Sequence, residues 1–310
     1  MNHPKSSLWS IIGWVGIYVL LMLSIITPLN IVAIHLILVP VLVLFMKLEW
    51  KWFIPAYLIA LAILYALLGD LGLILVMISL FFLPPVLVMG YGYKQRKPPQ
   101  WSIMAGTFTM MAVLIVFLII ARIIGYDLVQ DLKDVVLSNI EMLPAAVQEQ
   151  VNTGQIDQLV FLLSQMIPFF IVAFSVYYIV ITHWLSRKLA NTRQEVIPAL
   201  PPVRNWRLPR ALVWYYIICI LLDLFVPNEP GAFLTMVLLN LFPLLTWAFI
   251  VQAVSFVSFY VHLRKKSKAL PVLLVIVVIF LPPTQYIASL IGLFDVMFPL
   301  RQRMSNNNKE

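Results

Sequence analysis

The chain has 310 residues, of which 62% are hydrophobic and only 11% charged, and its mean hydropathy is +0.97. Because a soluble domain has about a quarter of its residues charged, this composition excludes a water-soluble protein. The net charge of +8 is divided among short clusters between apolar runs, which is typical of loops beside a lipid bilayer and argues against a nucleic-acid partner.

Apolar runs near the length that crosses a bilayer fall into two blocks. The first block predicts five membrane segments, over about residues 8–27, 29–46, 52–68, 71–90 and 102–124. The second predicts three or four, over about 166–185, 211–226, 232–263 and 269–298. We therefore expect an all-α protein, a polytopic transmembrane helical bundle of eight or nine membrane segments.

Lysine and arginine clusters predict the orientation, because cytoplasmic loops carry an excess of them. Sixteen of the 21 basic residues lie before the first segment or after the second, fourth, sixth and eighth, so the amino terminus is expected in the cytoplasm. A ninth crossing would put Arg301, Arg303 and Lys309 outside, against this rule. Alternatively, the last segment re-enters at Pro282-Pro283 and leaves the tail inside.

Between the blocks, residues 126–165 carry six acidic side chains and one basic side chain, Lys133. Apolar residues recur at helical spacing after Asp127, a predicted N-cap, and a second helix is expected near Asp157. This extracytoplasmic amphipathic lobe lies on the outer membrane surface or forms a lid over an outward-facing cavity. The predicted parts of the chain are a membrane block over 1–125, the lobe over 126–165, a second membrane block over 166–300 and a polar tail over 301–310.

Polar side chains within membrane segments are candidate ligand-binding groups, because they are costly unless they are paired or face water. Six of them are placed in the outer half of the bundle or along the eighth segment: Arg122, Asp223, His35, Asp70, Asn240 and Gln252. Arg122 and Asp223 either neutralise each other as an ion pair or line a polar pocket for a small-molecule ligand from outside.

Two further patterns suggest contacts with other subunits. The run VIPALPPVRNWRLPR is kept extended by its prolines, and its candidate partner contacts are Pro201, Pro202, Trp206, Arg207 and Arg210. The alternative is a linker that touches anionic lipid. Ala56 and Ala60 form a small-xxx-small pair, which allows close packing within the chain or against a partner helix.

The sequence contains no HExxH, GxSxG or GxxxxGK[ST] motif, and its one cysteine, Cys219, lies in an apolar run. We therefore expect no enzymatic activity, no cofactor and no metal site. His183 and His262 lie near cytoplasmic helix ends without an acidic neighbour, where we expect them to anchor the helices at the interface.

Three segments carry a resemblance to a known family. They are WRLPRALVW at 206–214, NLFPLLTWAFIVQAVSFVSFY at 240–260 and IGLFDVMFPLRQR at 291–303. Together with the acidic lobe, they resemble the YybS-like family of bacterial integral membrane proteins, a domain of unknown function. The resemblance implies a multi-pass protein of a bacterial plasma membrane.

The first five segments are similar, more distantly, to the substrate-binding subunits of energy-coupling-factor transporters, through their short connections and the glycine turn at 69–72. Those subunits bind a small nutrient from outside and associate with other subunits. Their small-xxx-small pair lies in the first helix, whereas here the alanine pairs lie in the third segment. We expect a transport-type subunit that binds a small molecule in an outward-facing polar pocket. The alternative is a non-transporting scaffold for cell-envelope or sporulation machinery.

Overall fold

The structure, a computed structural model, describes residues 8–144, 152–190, 197–225 and 231–306. Over these ranges every extended regular element is a helix, which confirms the all-α prediction. In chain order the helices are α1 (Leu8–Ser24), α2 (Asn30–Leu36), α3 (Leu38–Lys47), α4 (Trp50–Leu68), α5 (Asp70–Lys94), α6 (Pro99–Ile123), α7 (Leu128–Glu141), α8 (Thr153–Gln165), α9 (Ile167–Ala190), α10 (Ala211–Phe225), α11 (Phe233–Leu263), α12 (Ala269–Phe280), α13 (Pro283–Met297) and α14 (Leu300–Asn306).

Six helical stretches among the described residues are long and apolar enough to cross a membrane: α2 with α3, α4, α5, α6, α9 and α11. The apolar helices α1, α10 and α12 are shorter. Length and composition therefore support six crossings, and the total of eight or nine stays a prediction.

The chain forms two compact units. The first unit comprises residues up to Tyr126 together with Ile171–Leu200, and the second comprises Asp127–Phe170 and the residues from Pro201 onward. Helix α9 therefore contributes to both units, and the predicted lobe belongs to the second.

The first unit packs around an apolar core that includes the fully buried Met22, Leu64 and Met89. Helices α4 and α5 approach closely at Gly72, where a Cβ atom would lie 2.4 Å from the carbonyl oxygen of Leu64. Gly69 joins these helices with φ +57°, a conformation that favours glycine. The predicted glycine turn is thus a tight helix–helix connection.

Basic side chains gather at one end of the first unit. Lys47, at the end of α3, donates to Ser10 Oγ at the start of α1 over 3.1 Å. Lys94, at the end of α5, donates to the carbonyl oxygen of Leu48 over 2.6 Å. The start of α1 and the ends of α3 and α5 therefore lie at the same end, as alternate crossings of a membrane require.

The second unit has its own core, where α10, α11 and α13 pack together. Tyr216 stacks on Phe242 and Phe249, with ring centroids 5.6 and 4.9 Å apart. Its hydroxyl lies 3.2 Å from Thr246 Oγ1 and 2.9 Å from Ser289 Oγ. These hydrogen bonds satisfy a buried hydroxyl that would be costly to leave without a partner.

The predicted ninth segment is broken at Leu281 and Pro282 into α12 and α13, which fold against each other as a hairpin. Gln285 Nε2 donates to the carbonyl oxygen of Val278 over 3.3 Å, and Val278 shares a buried apolar cluster with Ala288. Leu281 leaves the helical conformation, with φ −123° and ψ 85°, so the segment is not one continuous helix.

Helix α13 runs parallel to α11. Three pairs meet in the same order along both helices: Phe242 with Tyr286, Phe249 with Gly292, and Gln252 with Asp295. Because α12 follows α11 after only a short turn, the hairpin rises from the carboxyl end of α11 and returns to it. The tail helix α14 therefore lies at that same end of the second unit.

The lobe consists of α7 and α8. Asp127 caps α7 as predicted, with its carboxylate accepting from the backbone N–H groups of Val129 and Gln130 at 3.0 and 3.2 Å. Lys133 pairs with Asp157 at 2.6 Å, which joins the two helices. Helix α8 begins earlier than predicted, because Asn152 forms a capping box. Glu149 of the predicted acidic face and Lys309 of the tail lie outside the described residues.

Candidate functional site

The six predicted ligand-binding side chains are divided between the units. The first unit contains Arg122, His35 and Asp70, and the second contains Asp223, Asn240 and Gln252. The Arg122–Asp223 ion pair and the shared polar pocket therefore remain predictions.

Arg122 lines a groove of about 390 Å³ on the first unit. The other lining side chains are aliphatic: Ile115, Leu118, Ile119 and Ile123 of α6, and Ile171 of α9. Arg122 is exposed in the last turn of α6, where a cation interacts favourably with the helix dipole. Among the residues that the structure describes, it forms no ion pair. The surface of this open groove is thus almost wholly apolar, and Arg122 is the one charged residue among the described residues that line it.

The remaining first-unit candidates have separate surroundings. His35 is half-buried, with Nδ1 3.2 Å from the hydroxyl of Tyr177 and its ring against Tyr177 and Tyr178. Asp70 is exposed in the first turn of α5, where a negative charge is favourable. In the second unit, Asp223 is exposed near the end of α10.

Asn240 bridges the break between α8 and α9. Its Nδ2 atom donates to the carbonyl oxygen of Gln165, and its Oδ1 atom accepts from the N–H of Phe169, both over 2.8 Å. Helix ends leave backbone groups without helical partners, and Asn240 satisfies one on each side of this break. The side-chain amide of Asn240 therefore forms these hydrogen bonds with backbone groups of the second unit itself.

Gln252 belongs to a buried polar cluster. Its Nε2 atom donates to Asp295 over 2.5 Å, and its Oε1 atom accepts from the N–H of Leu208 over 3.0 Å. Asp295 forms an ion pair with Arg301, in which Nε lies 2.9 Å from Oδ1 and Nη2 lies 2.5 Å from Oδ2. The side chains of Asp295 and Arg301 are only 1% and 4% exposed.

Arg301 makes further contacts that compensate for burial of its charge. Nη1 donates to the carbonyl oxygen of Arg204 over 2.6 Å, and Nη2 donates to Ser255 Oγ over 3.1 Å. The guanidinium carbon lies 5.4 Å from the ring centre of Phe259. A buried ion pair is tolerated only when its remaining hydrogen-bonding groups are also satisfied, and here α14 supplies the cation that joins these elements.

Residues 201–208 are held against α11. Ser255 Oγ lies 2.7 and 2.8 Å from the carbonyl oxygens of Val203 and Trp206, and Trp206 Nε1 donates to that of Pro201 over 2.8 Å. The predicted partner contacts Pro201, Pro202, Arg207 and Arg210 are exposed, and Trp206 is half-buried. They lie on an ordered strip and not on a free linker.

Ala60 is fully buried in the first unit, and Ala56 packs against the same core. The pair therefore serves helix packing within the chain, which is one of its two predicted uses.

The prediction that His183 anchors at the interface is wrong, because this side chain is 3% exposed and its Nδ1 atom lies 2.7 Å from the hydroxyl of Tyr93. The hydroxyls of Ser175, Thr182 and Ser186 on the same helix are also buried, without a hydrogen-bond partner among the described residues. The sequence gives little signal for such groups, because isolated hydroxyl residues are ordinary in apolar helices.

A buried hydroxyl group in the first unit was also not predicted. Ser79 is hydrogen-bonded to the hydroxyls of both Tyr18 and Tyr57. Beside it lies a cavity of about 10 Å³, which is the space of a single water molecule. Over the described ranges, no group of three His, Cys, Asp or Glu side chains is placed to hold a metal ion.

Apolar helices of membrane-spanning length, with polar side chains buried between them, define an integral membrane protein. Residues 16–296 match the family described as "Predicted membrane protein (DUF2232)", and the chain belongs to this family. It is similar to the uncharacterized protein YybS of Bacillus subtilis (strain 168), with 23% identity over 225 residues that cover 70% of this chain and 72% of that protein. No solved structure matches. The YybS-like resemblance is confirmed, and neither description names an activity.

Proposed function

We propose that this protein is a transport-type membrane subunit that binds a small molecule at Arg122. The observation that carries the proposal is the groove of about 390 Å³, which has Arg122 as the one charged residue among the described residues that line it. A charge near a membrane segment is expensive without a partner, and a ligand anion would supply that partner. Asn240 and Gln252 contribute to the fold through their hydrogen bonds, so the proposal rests on Arg122.

Replacing Arg122 with alanine is expected to abolish retention of the ligand. A hydrogen bond to a charged group contributes about 1.5–3 kcal/mol, which corresponds to a loss of affinity of roughly 10- to 100-fold. Native mass spectrometry of protein purified gently from its own host measures the bound molecule. Arg303→Ala is the matched control, because Arg303 is exposed on α14. Equal retention by Arg122→Ala and the wild type would disprove this site.

A scaffold for envelope or sporulation machinery is the second candidate function, and the ordered strip at 201–210 supports it. Ser255 and Trp206 fix its backbone, so that Pro201, Pro202, Arg207 and Arg210 present a defined surface. A fixed proline-containing surface binds a partner at a lower entropic cost than a free linker does.

The two candidate functions predict opposite results for the same pair of variants. If the protein is a scaffold, changing Pro201 and Pro202 to alanine removes co-purifying chains, and Arg122→Ala has no effect on them. If it is a transport subunit, Arg122→Ala removes the ligand, and the proline variant retains it. Quantitative mass spectrometry of both preparations distinguishes these outcomes.

We further infer a topology of eight crossings followed by a re-entrant hairpin, with both termini in the cytoplasm. Helix α12 has 12 residues and is followed at once by α13, which runs parallel to α11 and so returns toward the carboxyl end of α11. Its return through α13 places Arg301 beside Arg204. The basic residues of the tail then lie on the same side as Arg204, Arg207 and Arg210, in agreement with the positive-inside rule.

Cysteine labelling is expected to place the tail and the lobe on opposite sides. In a Cys219→Ala background, we expect a membrane-impermeant maleimide to label Ser138→Cys on intact cells and to label Asn306→Cys only after lysis. Both positions are exposed. Labelling of Asn306→Cys on intact cells would contradict the hairpin topology.

A further inference from the structure

The groove at Arg122 has a shape and chemistry that restrict its ligand. Ile115, Ile119 and Ile123 succeed one another along one face of α6, over about 12 Å of helix. Each is substantially exposed, at 44%, 53% and 77%. A small hydrophilic nutrient would leave this aliphatic wall without a matching surface, whereas a hydrocarbon chain would cover it.

The charge lies at one end of the groove. Arg122 precedes Ile123 in the last turn of α6, whereas Ile115 and Leu118 lie about one to two turns earlier. A ligand that matches both Arg122 and the aliphatic wall therefore carries an oxyanion at one end and an apolar chain that extends away from it. Guanidinium groups bind phosphate oxygens through paired hydrogen bonds.

We propose that the groove binds a phosphate-bearing lipid from the bilayer, with its phosphate on Arg122 and one hydrocarbon chain running from there along Ile119 and Ile115. This inference rests on the proposed ligand-binding function of Arg122 and names the class of ligand. It uses the charge complementarity between a single exposed guanidinium and a lipid phosphate, together with the aliphatic lining of the remaining groove.

Binding of labelled decyl phosphate to the full chain in nanodiscs of digalactosyldiacylglycerol, a bilayer lipid without phosphate, tests the inference, with empty nanodiscs as the background. We expect saturable binding that neither inorganic phosphate nor decanol competes away at the same concentration. Decyltrimethylammonium, which has the chain but the opposite charge, is also expected not to compete. Arg122→Ala is expected to weaken binding by roughly 10- to 100-fold, and Arg122→Lys by less, because lysine keeps the charge but not the paired geometry.

A matched pair of groove variants tests the position of the chain. Ile119→Trp fills the groove and is expected to weaken decyl phosphate binding at least tenfold, whereas Ile120→Trp is expected to leave it unchanged. Ile120 is 52% exposed, close to the 53% of Ile119, but does not line the groove. Equal effects of the two tryptophans would overturn the assignment of the chain.

The outcomes separate this inference from the proposed function. If inorganic phosphate binds as tightly as decyl phosphate, Arg122 is a ligand site but the lipid inference is wrong. If decyl phosphate binds equally to wild type and Arg122→Ala, it is only partitioning into the bilayer, and the lipid inference is again overturned. In either case, retention of the native ligand by the Arg122→Ala protein independently decides the proposed function.

Discussion

Replacing Asp295 with alanine is expected to destabilise the protein by about 3–5 kcal/mol, because it leaves the buried Arg301 without its counter-charge. That is a large share of the typical stability of about 5–15 kcal/mol. Because of this loss of stability, the purified variant should cease to be monodisperse in size-exclusion chromatography at a lower temperature than the wild type. Arg303→Ala removes an exposed charge from α14, the helix that carries Arg301, and should leave that temperature unchanged.

The double variant Asp295→Leu/Arg301→Leu distinguishes a lost charge balance from a lost contact. Replacing both members of a buried ion pair with apolar residues is often neutral, so most of the stability should return. The carbonyl oxygen of Arg204 and the hydroxyl of Ser255 still lose a donor, which leaves a smaller deficit. An Asp295→Ala protein as heat-resistant as wild type would show that the pair does not support the fold.

A single added methyl group at Gly292 is expected to disrupt the packing of α13 on α11. The new Cβ atom would lie 1.9 Å from the carbonyl oxygen of Phe249 and 3.0 Å from the backbone nitrogen of Ala253. Backbone atoms of a packed helix cannot move aside as a flexible side chain can, so Gly292→Ala should cost about 3 kcal/mol, at the upper end for overpacking. The same heating assay in mild detergent measures it.

Gly13→Ala provides the control for Gly292→Ala. Gly13 is also helical, but nothing lies within 4 Å of a Cβ atom built there. Because alanine favours a helix by about 1 kcal/mol over glycine, this variant should be as stable as the wild type or more so. If both variants behave alike, the close contact between α11 and α13 is not present.

The three segments that resemble the family meet at the buried cluster of the second unit. The first supplies Trp206, the second supplies Gln252 and Ser255, and the third supplies Asp295 and Arg301. The composition of the last ten residues places Arg301 in a polar tail, and Asp295 is not among the predicted site residues. The available signal was an acidic residue within an apolar run, followed six residues later by an arginine beyond Pro299.

The sequence by itself determined the class of protein, the all-α fold and most helix positions, because apolar length and helical periodicity are local properties of the chain. It also located the cap at Asp127, where one side chain and its own neighbouring backbone decide the outcome. The helices α4, α5 and α6 begin and end within a few residues of the predicted segments.

Only the tertiary structure decided that α12 and α13 form a hairpin, that Arg301 neutralises Asp295, and that Asn240 bridges a helix break. Each depends on which faces of distant helices pack together. Two prolines permit a kink or a reversal alike, and the packing of α13 along α11 selects the reversal. A polar residue in an apolar run can contact a ligand, a lipid headgroup or an internal partner, and the sequence does not distinguish these three. Only the side chains that surround the residue in the fold determine which of them it contacts.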